Sequence, residues 1–271
     1  MDFIAIYNFL FGLNMLINND NNIKNDNNIK IDNCFIIHLD RALERKKQVN
    51  ILKQKIPFKV SIISAADGRE ANANILSMYK PNILRPKYPF KMRHAEIATF
   101  LSHRICWQKI IDDKLDGAFI IEDDVSLDSS FFNFIINAAL QEIKTGDFIR
   151  FPIGNYEKTK LPFRLKNSKA LFTPDIIGLG MQAQIVTKDA AYDLLNATQF
   201  FDRPVDTYLQ LKWIHQIQIF TVIPSGISEI SNTLGGSLIS KNKSIFDILF
   251  REIMRRIYRI KIYILSKFIK R

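Results

Sequence analysis

From residue 31 onward the chain alternates short apolar runs with stretches of helical periodicity. Cys34 to Leu39 and Phe58 to Ile63 predict strands, the second running into the turn signal Ala66-Asp67-Gly68. Ala118-Phe119-Ile120-Ile121 is wholly apolar and rich in β-branched and aromatic residues, which predicts a strand buried on both faces. Between these lie a basic helix from Arg41 to Lys55 and a longer helix from His94 to Asp113. The apolar positions of the longer helix are Ile97, Phe100, Leu101, Ile105 and Ile111. Further on, Gly180 to Ile185 predicts a strand, Lys188 to Leu195 a helix, and Ile219 to Ile223 a strand stopped by Pro224. Strands and helices in alternation predict an α/β domain over residues 31–240 with a mostly parallel central sheet.

Two segments stand outside that alternation. Met1 to Ile17 is mostly apolar, without the basic start or cleavage site of a signal peptide, and shorter than the ~20 residues a spanning helix needs. Asn19 to Lys24 is then repeated unchanged as Asn25 to Lys30, a tract too polar to fold alone, so residues 1–30 read as a leader and flexible linker. At the other end, residues 241–271 carry Phe246, Phe250, Ile253, Ile257, Ile260, Ile264 and Phe268 in one helical stripe. Arg251, Arg255, Arg256, Arg259 and Lys270 fall on the other side. A basic amphipathic helix of this kind suits an anionic membrane surface, reached through residues 244–271. The alternative is a helix docked on the protein's own core with its charged face in water.

Composition changes this picture in one respect. At 271 residues, 47% hydrophobic and 24% charged, the chain is ordinary globular material for one large domain with appendages. The net charge of +11 is unevenly spread: Lys241 to Arg271 holds ten Lys or Arg and two acids, which accounts for +8. The rest is near neutral, which excludes a nucleic-acid-binding core. Cys34 and Cys106 sit far apart in apolar surroundings and favour a reducing compartment, and the four histidines show no zinc spacing.

Candidate chemistry begins at Glu122-Asp123-Asp124, three carboxylates that close the apolar run at 118–121. Adjacent carboxylates repel and each resists desolvation. A divalent cation removes that cost, and oxygen-rich sites suit Mg²⁺ or Mn²⁺. Ligands gather at the carboxyl ends of strands in open α/β sheets, so the cluster reads as a metal site for something anionic such as a diphosphate. A solvated acidic turn is the equal alternative. Arg41 and Arg45, one helical turn apart, suit phosphate contact or form an ordinary charged helix face.

Several of these stretches together resemble glycosyltransferase family 25. Phe35-Ile36-Ile37-His38-Leu39-Asp40-Arg41 with Glu44-Arg45 is similar to the family's opening motif, and Ser64 to Gly68 to its Ala-x-Asp-Gly element. Glu96 to His103 with Trp107, Ile121-Glu122-Asp123-Asp124-Val125, Gly180 to Leu195, and Pro204-Val205-Asp206 follow in the family's order. His38 stands where Asn is usual, Ala98-Thr99 replace Gly-Cys, and Gln184 replaces Tyr. The resemblance implies a GT-A-like nucleotide-sugar-binding fold and an inverting, metal-dependent transfer of galactose or glucose from a UDP-sugar. The acceptor it implies is a lipid-linked lipopolysaccharide or lipooligosaccharide chain, at the cytoplasmic face of a bacterial inner membrane. It also implies residue roles. Glu122 and Asp124 are metal candidates for Mn²⁺ or Mg²⁺; Leu39, Arg41, Arg45, Asp67, Ser102, His103 and Asp123 are donor-binding candidates. Asp206 is the first candidate for the base and Glu229 the second, while Glu96 holds a sugar hydroxyl or caps its helix. Asp67 accepts the uracil imide or serves its turn. From a different class, a metal-dependent phosphohydrolase would use the same acidic cluster on a phosphate ester.

Overall fold

The computed structural model describes residues 29–70, 76–153, 164–165, 171–215, 217–231 and 245–268; the apolar leader and most of the Asn-rich repeat lie outside them. The first strands are β1 (Asn33–His38), β2 (Lys59–Ser64) and β3 (Gly117–Glu122), which lie parallel with β1 in the centre. The register places Ile37 opposite both Ile63 and Glu122, so the carboxyl ends of all three strands finish at one edge. That shared edge is what builds the site.

Side-chain alternation explains the layers. In β3, Ala118 and Ile120 pack into one core cluster while Phe119 and Ile121 pack into another on the opposite face. The first cluster is closed by α2 (His94–Asp112) and the second by α1 (Lys46–Lys55) and α3 (Ser129–Glu142). In α2, Phe100 is fully buried and stacks on Phe201 at 3.9 Å between centroids, whereas Ile105 faces solvent. Phe100→Ala would cost about 3–5 kcal/mol at such a position.

The remaining strands are β4 (Val125–Leu127), β5 (Asp147–Arg150), β6 (Arg164–Leu165), β7 (Leu171–Thr173), β8 (Ala183–Thr187), β9 (Gln218–Val222) and β10 (Ile227–Glu229). The main sheet runs β2-β1-β3-β8-β5-β9-β7-β6, and it is mixed rather than mostly parallel. β8 is antiparallel to both β3 and β5, and β7 is antiparallel to β9. The reason the pattern missed this is physical: every residue of β8 is buried, and a strand covered on both faces carries the same apolar signature in either direction. β10 pairs with β4 in a separate two-stranded sheet, setting Glu229 opposite Val125.

The expected helix from Arg41 to Lys55 begins later. Leu43–Arg45 is a short 3-10 turn and α1 starts at Lys46, so Arg41 and Arg45 do not share a helical face. The last helices are α4 (Lys188–Ala197), α5 (Val205–Leu209) and α6 (Ile245–Phe268). α6 docks through Tyr258 and Ile262, which pack with Leu211. The stripe expected to be the helix's special face is exposed: Phe250, Ile253, Ile257, Ile260, Ile264 and Phe268 all face out. No described helix is long and apolar enough to cross a membrane.

Candidate active site

A cavity of about 620 Å³ opens over the shared carboxyl edge of β1, β2 and β3. Its lining includes Leu39, Arg41, Arg45, Asp67, Glu96, Ser102, His103, Glu122, Asp123, Asp124, Asp206 and Glu229, so all twelve candidate residues meet there. Their surroundings divide them into groups with different work available.

Asp123 is buried and fully engaged. His38 Nδ1 donates to its Oδ2 at 2.6 Å and Arg45 Nη1 to its Oδ1 at 2.7 Å. The same Arg45 nitrogen reaches Asp124 Oδ2 at 3.3 Å. Arg45 is itself buried, so its charge serves the acidic cluster beneath the cavity, and burial works against it while Asp123 and Asp124 hold its pKa raised. Arg45, expected either to contact phosphate or to form a charged helix face, is held against Asp123 and Asp124 at the cavity lining.

Asp124 is the unsatisfied member. Its Oδ1 is buried with no hydrogen-bond partner. Burial first, then the neighbouring Glu122 carboxylate, pushes its pKa up to about 6; Asp123 and Glu229 add to this and Arg45 opposes it. Glu229 is brought near by β10, whose following residue Ile230 donates its N–H to the Asp124 carbonyl at 2.9 Å. Among the described residues no three His, Cys, Asp or Glu side chains form a ready-made metal cluster. The donor set fits a different arrangement. An orphaned buried carboxylate oxygen beside a second carboxylate suits an ion that keeps water ligands and is completed by substrate phosphates.

The raised pKa has a consequence with a definite sign. Between the ordinary 3.8 and about 6 the folded chain holds a proton that the unfolded chain has released. Stability contributed by this group is therefore present at low pH and lost as pH rises through that window. A cation at Asp124 reverses the penalty once the carboxylate is ionised. Added Mn²⁺ is thus expected to raise the thermal midpoint more at pH 7 than at pH 5, and equal shifts at both would contradict the assignment.

The other carboxylates are held by neighbours. Asp67 accepts from Arg41 Nε at 2.5 Å and from the Arg69 N–H at 2.9 Å, and the Arg41 hydrogen bond holds its pKa below the usual range. Its turn is fixed from below: the Ala66 N–H donates to Ser102 Oγ at 3.0 Å, and Ser102 donates to the Ala98 carbonyl at 2.8 Å. Gly68 is required there, since a Cβ would lie 2.7 Å from the Ala95 nitrogen. Glu96 accepts from the Arg93 N–H at 2.7 Å and the Arg93 guanidinium at 3.1 Å, so its carboxylate caps α2. Asp206 accepts from the Gly180 N–H at 3.0 Å and the Thr207 N–H at 2.6 Å. Glu229 accepts from Ser231 Oγ at 2.5 Å.

His103, fully buried, sits between Gln184 and Glu122. Gln184 Nε2 donates to His103 Nδ1 at 3.1 Å, which leaves Nε2–H facing Glu122 Oε1 at 3.4 Å. The departures from the motif pattern are thus part of the site: His38 orients Asp123 and Gln184 orients His103. Neither role is visible until β1, β3 and β8 are known to be neighbours. Tyr88 and Arg69, also in the lining, were missed because each lies in a loop with no periodic or motif signal.

Comparison with known proteins decides the family. The family model "Glycosyltransferase family 25 (LPS biosynthesis protein)" matches residues 31–209. The chain belongs to glycosyltransferase family 25. Within this family, procollagen galactosyltransferase 2 of Mus musculus is 32% identical over 102 residues, covering 36% of this chain and 16% of the mouse protein. A glycosyltransferase 25 family member of Drosophila pseudoobscura pseudoobscura is 32% identical over 101 residues, with 36% and 16% covered. The lipooligosaccharide biosynthesis protein lic2B of Haemophilus influenzae is 28% identical over 103 residues, 37% of this chain and 36% of its own length. The chain therefore matches about a sixth of the fly and mouse relatives. A solved glycosyltransferase involved in glycosylation of the major capsid of PBCV-1 overlays 62% of this chain and 65% of its own at 9% identity, with a TM-score of 0.33.

Proposed function

We propose that this family 25 chain transfers galactose or glucose from a UDP-sugar to a lipid-linked lipopolysaccharide or lipooligosaccharide chain, with inversion, at the cytoplasmic face of a bacterial inner membrane. The observation that carries the reading is the buried, unpartnered Asp124 Oδ1 beside Glu122, in a cavity gathered from the family's own motifs. Glu122 and Asp124 would hold Mn²⁺ or Mg²⁺, which when bound supplies Lewis-acid neutralisation of the diphosphate charge. Arg41, held by Asp67 through Nε and Nη2, offers its remaining N–H groups to the phosphates. Arg45 and His38 fix the acidic cluster from below through Asp123.

Asp206 is the group we assign to the acceptor proton. Its carboxylate is oriented by the Gly180 and Thr207 N–H groups, while Glu229 lies close enough to Asp124 to raise its pKa and so belongs to the metal side. As the acceptor oxygen bonds to the anomeric carbon, its proton passes to Asp206 and the glycosidic C–O bond breaks to release UDP. Asp206→Asn is expected to lower kcat about 10²–10⁴-fold with donor affinity retained. A kcat fall of that size in Glu229→Gln, and none in Asp206→Asn, would reassign the base. Calorimetric titration of a panel of nucleotide sugars, with and without Mn²⁺, tests the donor: a UDP-hexose should bind only with the ion present.

A further inference from the structure

The C-terminal helix α6 has two apolar faces, and among the described residues only one of them is covered. The inner face carries Tyr258 and Ile262, both buried. The Tyr258 hydroxyl accepts from Arg203 Nη1 at 2.6 Å, and its ring meets Tyr88 edge-on at 5.5 Å. Arg203 is fully buried, pairs with Asp202 at 2.6 Å and donates Nη2 to the Pro86 carbonyl at 3.0 Å. It also directly precedes Pro204 to Thr207, which with Tyr88 line the cavity. The helix is thus keyed, through one tyrosine, into the cavity wall that carries Asp206.

The outer face is a broad apolar band in water. Phe250 is 60% exposed, Ile260 58% and Phe268 82%. Exposed Arg256, Lys261 and Lys267 border this band, and Arg255 and Arg259 extend the positive surface. Pairing of two copies through the band would bring these like charges together; among the described side chains of the helix, the acid Glu252 is already paired with Arg255 and Arg256. An anionic bilayer satisfies both features, since it accepts the Phe and Ile side chains and attracts the basic border.

We propose that α6 is a two-faced adaptor whose outer band lies on an anionic bilayer while its inner face, through Tyr258 and Arg203, holds the Asp206 wall of the cavity. One rigid element then fixes that wall relative to the surface that would present a lipid-linked acceptor. The inference deepens the acceptor reading above, but vesicle binding is read with no nucleotide sugar or acceptor, so either claim can fail alone.

The test uses the full chain and sedimentation with vesicles of phosphatidylglycerol in phosphatidylcholine, against phosphatidylcholine alone. The parent should bind the anionic vesicles, and the triple variant Phe250→Gln, Ile257→Gln, Ile264→Gln should bind them more than about tenfold more weakly at an unchanged thermal midpoint. Arg256→Gln with Lys261→Gln and Lys267→Gln should remove the preference for anionic lipid. Undiminished binding by the triple variant overturns the proposal, as does a concentration-dependent dimer of the parent that the triple variant abolishes. Tyr258→Phe keeps the ring and removes the hydroxyl. It should raise the acceptor KM while vesicle binding and donor affinity stay at parental values, and an unchanged acceptor KM overturns the inner-face role.

Discussion

Asp124→Ala is expected to abolish Mn²⁺-dependent binding of the UDP-sugar and to lower kcat/KM about 10²–10³-fold, the scale on which preorganised charge stabilisation is lost. One atom carries this effect. Asp124 Oδ1 is buried without a partner, in a chain where the neighbouring Asp123 has both oxygens satisfied. A carboxylate whose pKa burial and Glu122 push to about 6 is a cost to the apo-protein at neutral pH. The same substitution should therefore hold or raise the thermal midpoint in the absence of metal, a gain of stability with a loss of function. Asp124→Ala that binds and turns over donor without metal would refute the role; so would a large loss of stability unaccompanied by any loss of metal response.

The second large effect lies beneath the cavity. Arg45→Leu leaves the buried Asp123 and its neighbour Asp124 without their shared guanidinium. Breaking a buried pair by removing one partner typically costs about 3–5 kcal/mol, because the remaining charge stays desolvated. The urea midpoint of Arg45→Leu should fall accordingly. Arg41 supplies the contrast. Its pair with Asp67 is a third exposed on the arginine side, so Arg41→Leu should cost stability only about 0–1 kcal/mol and appear instead as weaker donor binding. A comparable stability loss in both variants would remove the distinction drawn between a structural and a substrate-facing arginine.

Much of the frame was legible because burial leaves a plain record. Cys34 to Leu39 and Ala118 to Ile121 announce strands by composition, and Glu122 marks where the buried run meets the site. Direction was not legible. β8 lies antiparallel between β3 and β5, and a strand covered on both faces shows no preference in its sequence. The pattern Phe131, Phe132, Ile135, Ile136, Ala139 of α3 carries a readable helical face that the expectation passed over.

At the site, residue identity revealed candidates but not their division of labour. Asp123 and Asp124 are adjacent in sequence and opposite in circumstance: His38 and Arg45 satisfy both oxygens of Asp123, whereas Asp124 Oδ1 has no partner. Arg45 suited phosphate contact or a charged helix face, and only the fold shows it paired with carboxylates 78 and 79 positions away. The C-terminal stripe was visible as a period of apolar residues. Its partner was not, because Tyr258 and Ile262, the residues that dock, lie off that stripe.

The most direct test of glycosyl transfer is release of UDP from UDP-galactose and UDP-glucose, measured with Mn²⁺ in the presence and absence of a lipooligosaccharide acceptor. Release that depends on the acceptor, matched by hexose incorporated into it, is the predicted result. Release at the same rate without acceptor, with no hexose transferred, would contradict it and place the acidic cluster in a phosphohydrolase.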